Sequence, residues 1–467
     1  MGKQKKIWSK PAIIMQQAGG VNKFNGYRDE FCQSHIDGIP VLPLLDQYHS
    51  PLFILSEKKI RENIRHLTRV FRALWPEMIH AWPYKTNYLS AVCHIAHQEG
   101  SWAEVVSDFE YAKAKQSGVP GSRIILNGPY KSQKLLKEAI KDNAFINIDH
   151  FDELLMIEQI AKDMSEVVQV GIRLNFNNGY TEPWSRFGFN IENGEAMRAV
   201  LRIGGSKHLE LTGLHSHIGT FILDTRAYAE QVRIMCAFMD AAEREIDCRI
   251  SVLDIGGGFA SFNALRGIYL SPEQIVPQIE QYAQAITNSL RAATAHREAE
   301  GKPLPMLILE TGRAVIDDAE CLITRVVGNK RLPDGRRGCI LDSGVNLLFT
   351  AFWYNHMVKP LRPLDGISED TVLYGSLCMN LDVIHSSIFL PPLNVGEPLM
   401  ITNTGAYNNT QWMQFIQYRP NIIMIMEQGN VEVIREAERL ETLQSLEHVP
   451  LALRELEIQK KPGTIDE

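Results

Sequence analysis

The chain has 467 residues, 45% hydrophobic and 22% charged, with 48 Lys+Arg against 55 Asp+Glu for a net charge of −7. That apolar fraction excludes global disorder, and the mild acidity argues against a nucleic-acid binder, which needs a basic face. Seven cysteines, an odd number with no C-x-x-C pair, point away from a disulfide framework or a metal site and toward a reduced, cytosolic setting.

In chain order, Lys3, Lys5, Lys6 and Lys10 make the start basic, but no apolar segment follows them as a secretory signal requires. Met1-Gly2 opens like a myristoylation site, yet Lys6 stands where Ser or Thr is needed. No apolar run approaches a membrane span. The segment Pro40-Val41-Leu42-Pro43-Leu44 reads as extended. Ser56 is placed to cap a helix striped by Ile60, Ile64, Leu67, Phe71 and Leu74.

Strands are expected at 78–84, 102–106, 123–126, 145–148, 168–174, 211–217, 251–255 and 306–309. Helices fall between them at 88–98, 108–117, 132–142, 152–162, 225–245 and 271–300. This α/β alternation predicts a (β/α)8 TIM barrel, with an open doubly wound sheet as the competing arrangement. After about residue 310 the segments become short, β-branched and broken by Gly, Asn and Pro, as in a mostly antiparallel β domain of sandwich or barrel-like form. The division assigns 51–310 to the barrel and 1–50 with 311–467 to the β domain; the charged tail after 455 is expected to be loose.

Barrel enzymes carry their chemistry at the C-terminal strand ends. Here those ends read Lys85, Ser107, Asn127, Asp149, Asn175, His217, Gly256-Gly257-Gly258 and Glu310-Thr311-Gly312-Arg313. Singly, Lys85 would be a solvated lysine, His217 a satisfied buried histidine and the glycines a turn. Together they suggest more. Glycines after strand seven let backbone N–H groups approach a phosphate, and Arg313 after strand eight can bind one with a bidentate fork. An imidazole beside a lysine, a carboxylate and such a cradle suggests a phosphorylated aromatic cofactor held by a Schiff base.

These motifs resemble those of the pyridoxal-phosphate decarboxylases of the diaminopimelate, ornithine and arginine decarboxylase family, with an alanine-racemase-like (fold type III) barrel. The resemblance runs in order from about 50 to 415. W-P-Y-K-T-N (82–87) is similar to the lysine motif, which makes Lys85 the Schiff-base residue. Glu104, Ser107 and Glu110 match the second-strand motif, and H-S-H-I-G-T (215–220) the segment whose second histidine, His217, stacks on the cofactor ring. Thr220 replaces a phosphate-contacting Ser, L-D-I-G-G-G-F (253–259) resembles the phosphate loop of Gly256, Gly257 and Gly258, and Tyr407 in G-A-Y is offered to the phosphate. E-T-G-R (310–313) keeps Glu310 for the pyridine nitrogen, with Gly312 and Arg313. G-S-L-C-M-N-L-D (375–382) resembles the motif that supplies a general-acid Cys, here Cys378, across a dimer interface. Without that motif Cys378 would read as a buried structural cysteine.

The resemblance implies a decarboxylase with pyridoxal 5'-phosphate as cofactor and a homodimer with shared sites. Related racemases place an arginine where Glu310 stands, so Glu310 favours decarboxylation over racemisation or epimerisation. Retention of Lys85, His217, Arg313 and Cys378 opposes a non-catalytic, decarboxylase-like regulator. The substrate positions depart from the family: Met379 replaces an acid after the cysteine, Asn355 an acid after Tyr354, and Thr350 an arginine. With Asp382 closing the motif, these positions predict a substrate other than free ornithine or diaminopimelate. An amide- or thioester-linked aminoacyl unit fits, of the siderophore or carrier-protein type, with diaminopimelate itself as the alternative.

Overall fold

The computed structural model describes residues 32–268 and 270–453. The basic start and the tail after 455 lie outside the described residues. Eight parallel strands form the barrel: Met78–Pro83, Trp102–Val105, Ile124–Leu126, Phe145–Ile148, Val168–Asn175, Leu209–His215, Val252–Asp254 and Met306–Leu309. The last pairs with the first, Leu307 opposite Met78, so the sheet is closed and the open alternative is excluded. Ala81, Ile125, Val252 and Ile308 fill the interior together with Ile79, Trp102, Phe145 and Met306.

Helices ring the barrel because each presents one apolar stripe to it. Glu57–Leu74 begins as its sequence implies: Ser56 Oγ accepts from Lys59 N at 3.0 Å, and Ile60, Ile64, Leu67 and Phe71 are buried. The expected helix at 271–300 is two, Pro272–Ile275 and Ile279–Ala299. Pro277 lacks an N–H and holds the preceding Val276 extended, which breaks it. A helix the periodicity did not reveal, Glu195–Gly204, packs through Ala196, Ala199, Val200 and Ile203.

The second sheet runs Val383–Leu390, Glu369–Tyr374, Arg337–Leu341, Glu320–Arg331, Leu52–Ser56, Ile422–Ile425, Val431–Arg435, with Pro398–Thr402 also on Glu320–Arg331. Most pairs are antiparallel; Arg337–Leu341 with Glu369–Tyr374 and Leu52–Ser56 with Ile422–Ile425 are parallel. Leu52–Ser56, which the expected division at 51 places with the barrel, pairs in this sheet. Val41–Tyr48 corrects the expectation of an extended segment: it is a helix. Pro43 sits in its first turn, where no N–H is required, while Val41, Leu44 and Leu45 pack against Leu52, Ile54 and Ile423.

Candidate active site

The first barrel strand delivers Lys85 to the rim, where its Nζ donates to Glu104 Oε2 at 2.5 Å and lies 3.9 Å from Glu310 Oε2. Asn127 Nδ2 donates to Glu104 Oε1 at 3.0 Å and to Glu310 Oε1 at 2.5 Å, and is itself oriented by Asn147 Nδ2, 2.9 Å from Asn127 Oδ1. Five adjacent barrel strands, the eighth and the first four, thus contribute to one hydrogen-bonded cluster. Burial pulls the Lys85 pKa down, but Glu104 and Glu310 outweigh it, and the amine is held above its ordinary range. Burial and the neighbouring Glu104 push the Glu310 carboxyl up to about 7, against the pull of Lys85.

A second cluster forms over the last strands. A Cβ at Gly257 would lie 2.3 Å from Glu310 O, and one at Gly258 2.3 Å from Gly219 O; no other residue could stand there. Tyr228 OH donates to Gly257 O at 2.9 Å and fixes the loop from behind. Arg313 Nη2 donates to Thr220 Oγ1 at 3.2 Å, Nη1 donates to Tyr354 OH, and the guanidinium lies 4.7 Å from the Tyr407 ring centre. Between the clusters stands His217, its ring stacked on Trp184 at 5.3 Å and 11°. Burial, with Arg173 and Lys85, lowers His217 to about 3, so its imidazole is neutral.

The β domain is stitched to the same rim. Tyr407 N donates to Thr86 O at 2.8 Å, and Thr410 Oγ1 donates to Lys85 O at 2.9 Å. Asn87 Nδ2 donates to Gly405 O at 3.0 Å. The backbone of Lys85 is therefore fastened by the loop that carries Tyr407.

The expected substrate residues fare differently. Thr350 is fully buried, its hydroxyl 2.9 Å from both His356 Nε2 and Asn408 Oδ1, so its hydrogen bonds go to the protein itself. The Asp382 carboxylate accepts from Val345 N and Leu377 N, each at 2.8 Å, and holds the 375–382 turn. Tyr354 stands with Arg313, which donates to its hydroxyl. Asn355 pairs in a short strand with Ala264, Met379 packs against the main core, and Cys378 is exposed. Glu110 turns away from the rim to accept from Val106 N at 2.7 Å, and burial and Glu104 push it up to about 7.

Two further residues stand beside the site without having been expected there. Arg173, 3.8 Å from Asp149, is a lone charge inside the apolar run V-Q-V-G-I-R-L, which was a usable signal; Trp184 lies in an irregular loop that carried none. A flat ring between His217 and the acids, with a phosphate on the glycine loop, suits these residues. His215 supports that fit: neither of its buried ring nitrogens has a hydrogen-bond partner among the described residues.

A family profile described as the pyridoxal-binding domain of pyridoxal-dependent decarboxylases matches residues 58–317. The chain is 30% identical over 431 residues to the diaminopimelate decarboxylase of Methanothermobacter thermautotrophicus, covering 90% of this chain and 96% of that one. It is 29% identical over 434 residues to that of Methanocaldococcus jannaschii, covering 89% and 95%. The structure of a diaminopimelate decarboxylase from M. jannaschii in complex with L-lysine superposes with a TM-score of 0.80 at 26% identity, covering 90% and 96%. The chain belongs to the pyridoxal-dependent decarboxylase family and is a pyridoxal-phosphate-dependent amino-acid decarboxylase.

Proposed function

We propose that this chain removes the α-carboxylate of an amino acid or aminoacyl conjugate at the rim around Lys85. The observation that carries the reading is the single cluster of Lys85, Glu104, Asn127 and Glu310 beside the glycine cradle. Lys85 holds the cofactor covalently; Gly256, Gly257, Gly258, Gly312, Thr220, Arg313 and Tyr407 take its phosphate. Pyridoxal phosphate bound there would supply the electron sink that loss of the α-carboxylate requires. Glu104 orients the Lys85 amine. Glu310 keeps a proton on the ring nitrogen. His217, being neutral, offers a ring face without adding charge.

The proton donor to the α-carbon is the partner subunit's Cys378. In favour of a donor in trans, Cys378 is exposed on the turn that Asp382 holds, and Leu381 beside it is 65% exposed. The working form is then a homodimer with two composite sites, and a reducing cytosol keeps the thiol free. Mixing a Cys378→Ala chain with a Lys85→Ala chain restores about a quarter of the sites by random pairing; no recovery overturns the shared site.

For the substrate's distal end, Thr350 is occupied internally and Met379 offers only an apolar surface. A buried distal charge without a partner is costly. The substrate is therefore a conjugate whose far end is amide- or thioester-linked. The relatives named diaminopimelate decarboxylase favour a second reading, the free diamino acid. Carbon dioxide release from diaminopimelate, lysine, ornithine, arginine and aminoacyl conjugates decides: robust turnover of any free amino acid in the panel sinks the conjugate reading.

A further inference from the structure

Asp254 ends the seventh barrel strand, fully buried, and the mechanism above gives it no task. Its Oδ1 accepts from Gly256 N at 3.0 Å, while its Oδ2 meets no donor among the described residues. One ligand atom each of Asp254, Glu310 and His215 lie within 4.8 Å of one another. The other groups facing this spot are Lys85 and Glu104 from the first two strands, Asn127 from the third, Arg173 from the fifth and His217 beyond the sixth.

Two buried carboxyls this close cannot both ionise, so one retains a proton. Glu310 has the Asn127 amide at 2.5 Å and the Lys85 ammonium at 3.9 Å to stabilise a negative charge. Asp254 has one backbone N–H and an oxygen with nothing donating to it. His215 brings no help, since burial and Arg173 hold it well below its ordinary range and leave it neutral. The proton therefore sits on Asp254.

We propose that Asp254 is a permanently protonated carboxylic acid whose hydrogen bond to Glu310 fixes Glu310 as the single negative charge offered to the cofactor's ring nitrogen. Burial, and then Glu310, raise the Asp254 pKa well above its ordinary value, in agreement with that geometry. Because the same carboxyl also takes the Gly256 N–H, Asp254 is a positioning residue that ties the acid end of the site to the phosphate loop. The inference rests on the reading of Glu310 given above.

The test compares Asp254→Asn, Asp254→Ala and Glu310→Gln in the full chain. Titration with pyridoxal phosphate gives cofactor affinity, and the visible absorption of the bound cofactor is followed against pH. An asparagine keeps both the donor toward Glu310 and the acceptor for Gly256, so it stays within about threefold of the parent chain and retains its pH dependence. Alanine loses both and weakens cofactor binding roughly 10- to 100-fold, with an altered pH dependence. Asparagine falling as far as alanine means that Asp254 acts as an anion and overturns the proposal; so does an alanine variant that behaves like the parent. If the alanine chain does not fold, the infrared difference between parent and Asp254→Asn decides. A protonated-acid carbonyl band lost on substitution supports the proposal, and carboxylate bands alone overturn it. Glu310→Gln stands apart: an unchanged spectrum there removes the Glu310 reading itself.

Discussion

At the barrel rim, Lys85, Glu104, Asn127 and Glu310 hold one another through side-chain bonds of 2.5–3.0 Å across four neighbouring strand ends. In the 350–382 segment, by contrast, Thr350 and Asp382 turn their oxygens inward to the protein's own groups, and Cys378 faces outward. One region is a finished constellation on rigid strands. The other is a set of loops whose polar atoms keep the loops in shape. Preorganised chemistry belongs on regular elements, and selectivity among related substrates belongs on the loops that vary between them.

The largest effect that would break this contrast comes from Lys85→Ala. Activity falls by about 1,000-fold or more and the visible absorption of the covalently held cofactor disappears; a retained band would mean that another amine does the work. Gly257→Ala comes next, because its methyl group would enter the space of Glu310 O at 2.3 Å. Cofactor affinity, read by spectroscopic titration, drops roughly 10- to 100-fold while the far-ultraviolet spectrum is kept.

Acid acts on both regions. His80 in the barrel and His356 in the β domain are lowered to about 4, in each case mainly by burial. The unfolded chain takes up a proton near 6.5, the folded one only near 4. The stability each contributes is therefore full above about 6.5 and is lost as pH falls toward 4, to an upper limit of about 3 kcal/mol per group. Melting temperatures measured across this window should fall steeply, and His80→Gln and His356→Gln should each flatten the slope. The smallest effect is that of Thr350→Val, which costs about 1–2 kcal/mol in denaturant unfolding and leaves KM unchanged. A shift in KM larger than the loss of stability would return Thr350 to the substrate.

The barrel was legible because each strand is a short apolar run followed by a polar or glycine residue, and because eight of them recur. Its closure was not, since alternation alone fits an open sheet; the Leu307–Met78 pairing decided it. Local pattern misled at Pro40–Leu44, where two prolines suggested an extended chain but stand where a helix start tolerates them. In the site, Lys85, Asn127 and Glu310 could be singled out because each stands just past the end of a barrel strand. Thr350 and Asp382 could not be judged that way: their partners Asn408 and Val345 lie far away in sequence or around a turn that only the fold defines. Asp254 lies in L-D-I-G-G-G-F beside the glycines, and its unpartnered oxygen is a feature that only the fold reveals.

The strand Leu52–Ser56 carries a consequence for how the chain is made. It pairs with Glu320–Ile323 on one side and with Ile422–Ile425 on the other, Phe53 opposite Ile422. On a ribosome, this apolar segment emerges long before either neighbour exists. The barrel strands between 78 and 309 have their partners sooner, and domains that finish early during synthesis fold first. Until residue 323 is out, Leu52–Ser56 has no strand partner, and until residue 425 is out one of its two edges stays open. An apolar edge left open in that interval is a template on which another chain can pair.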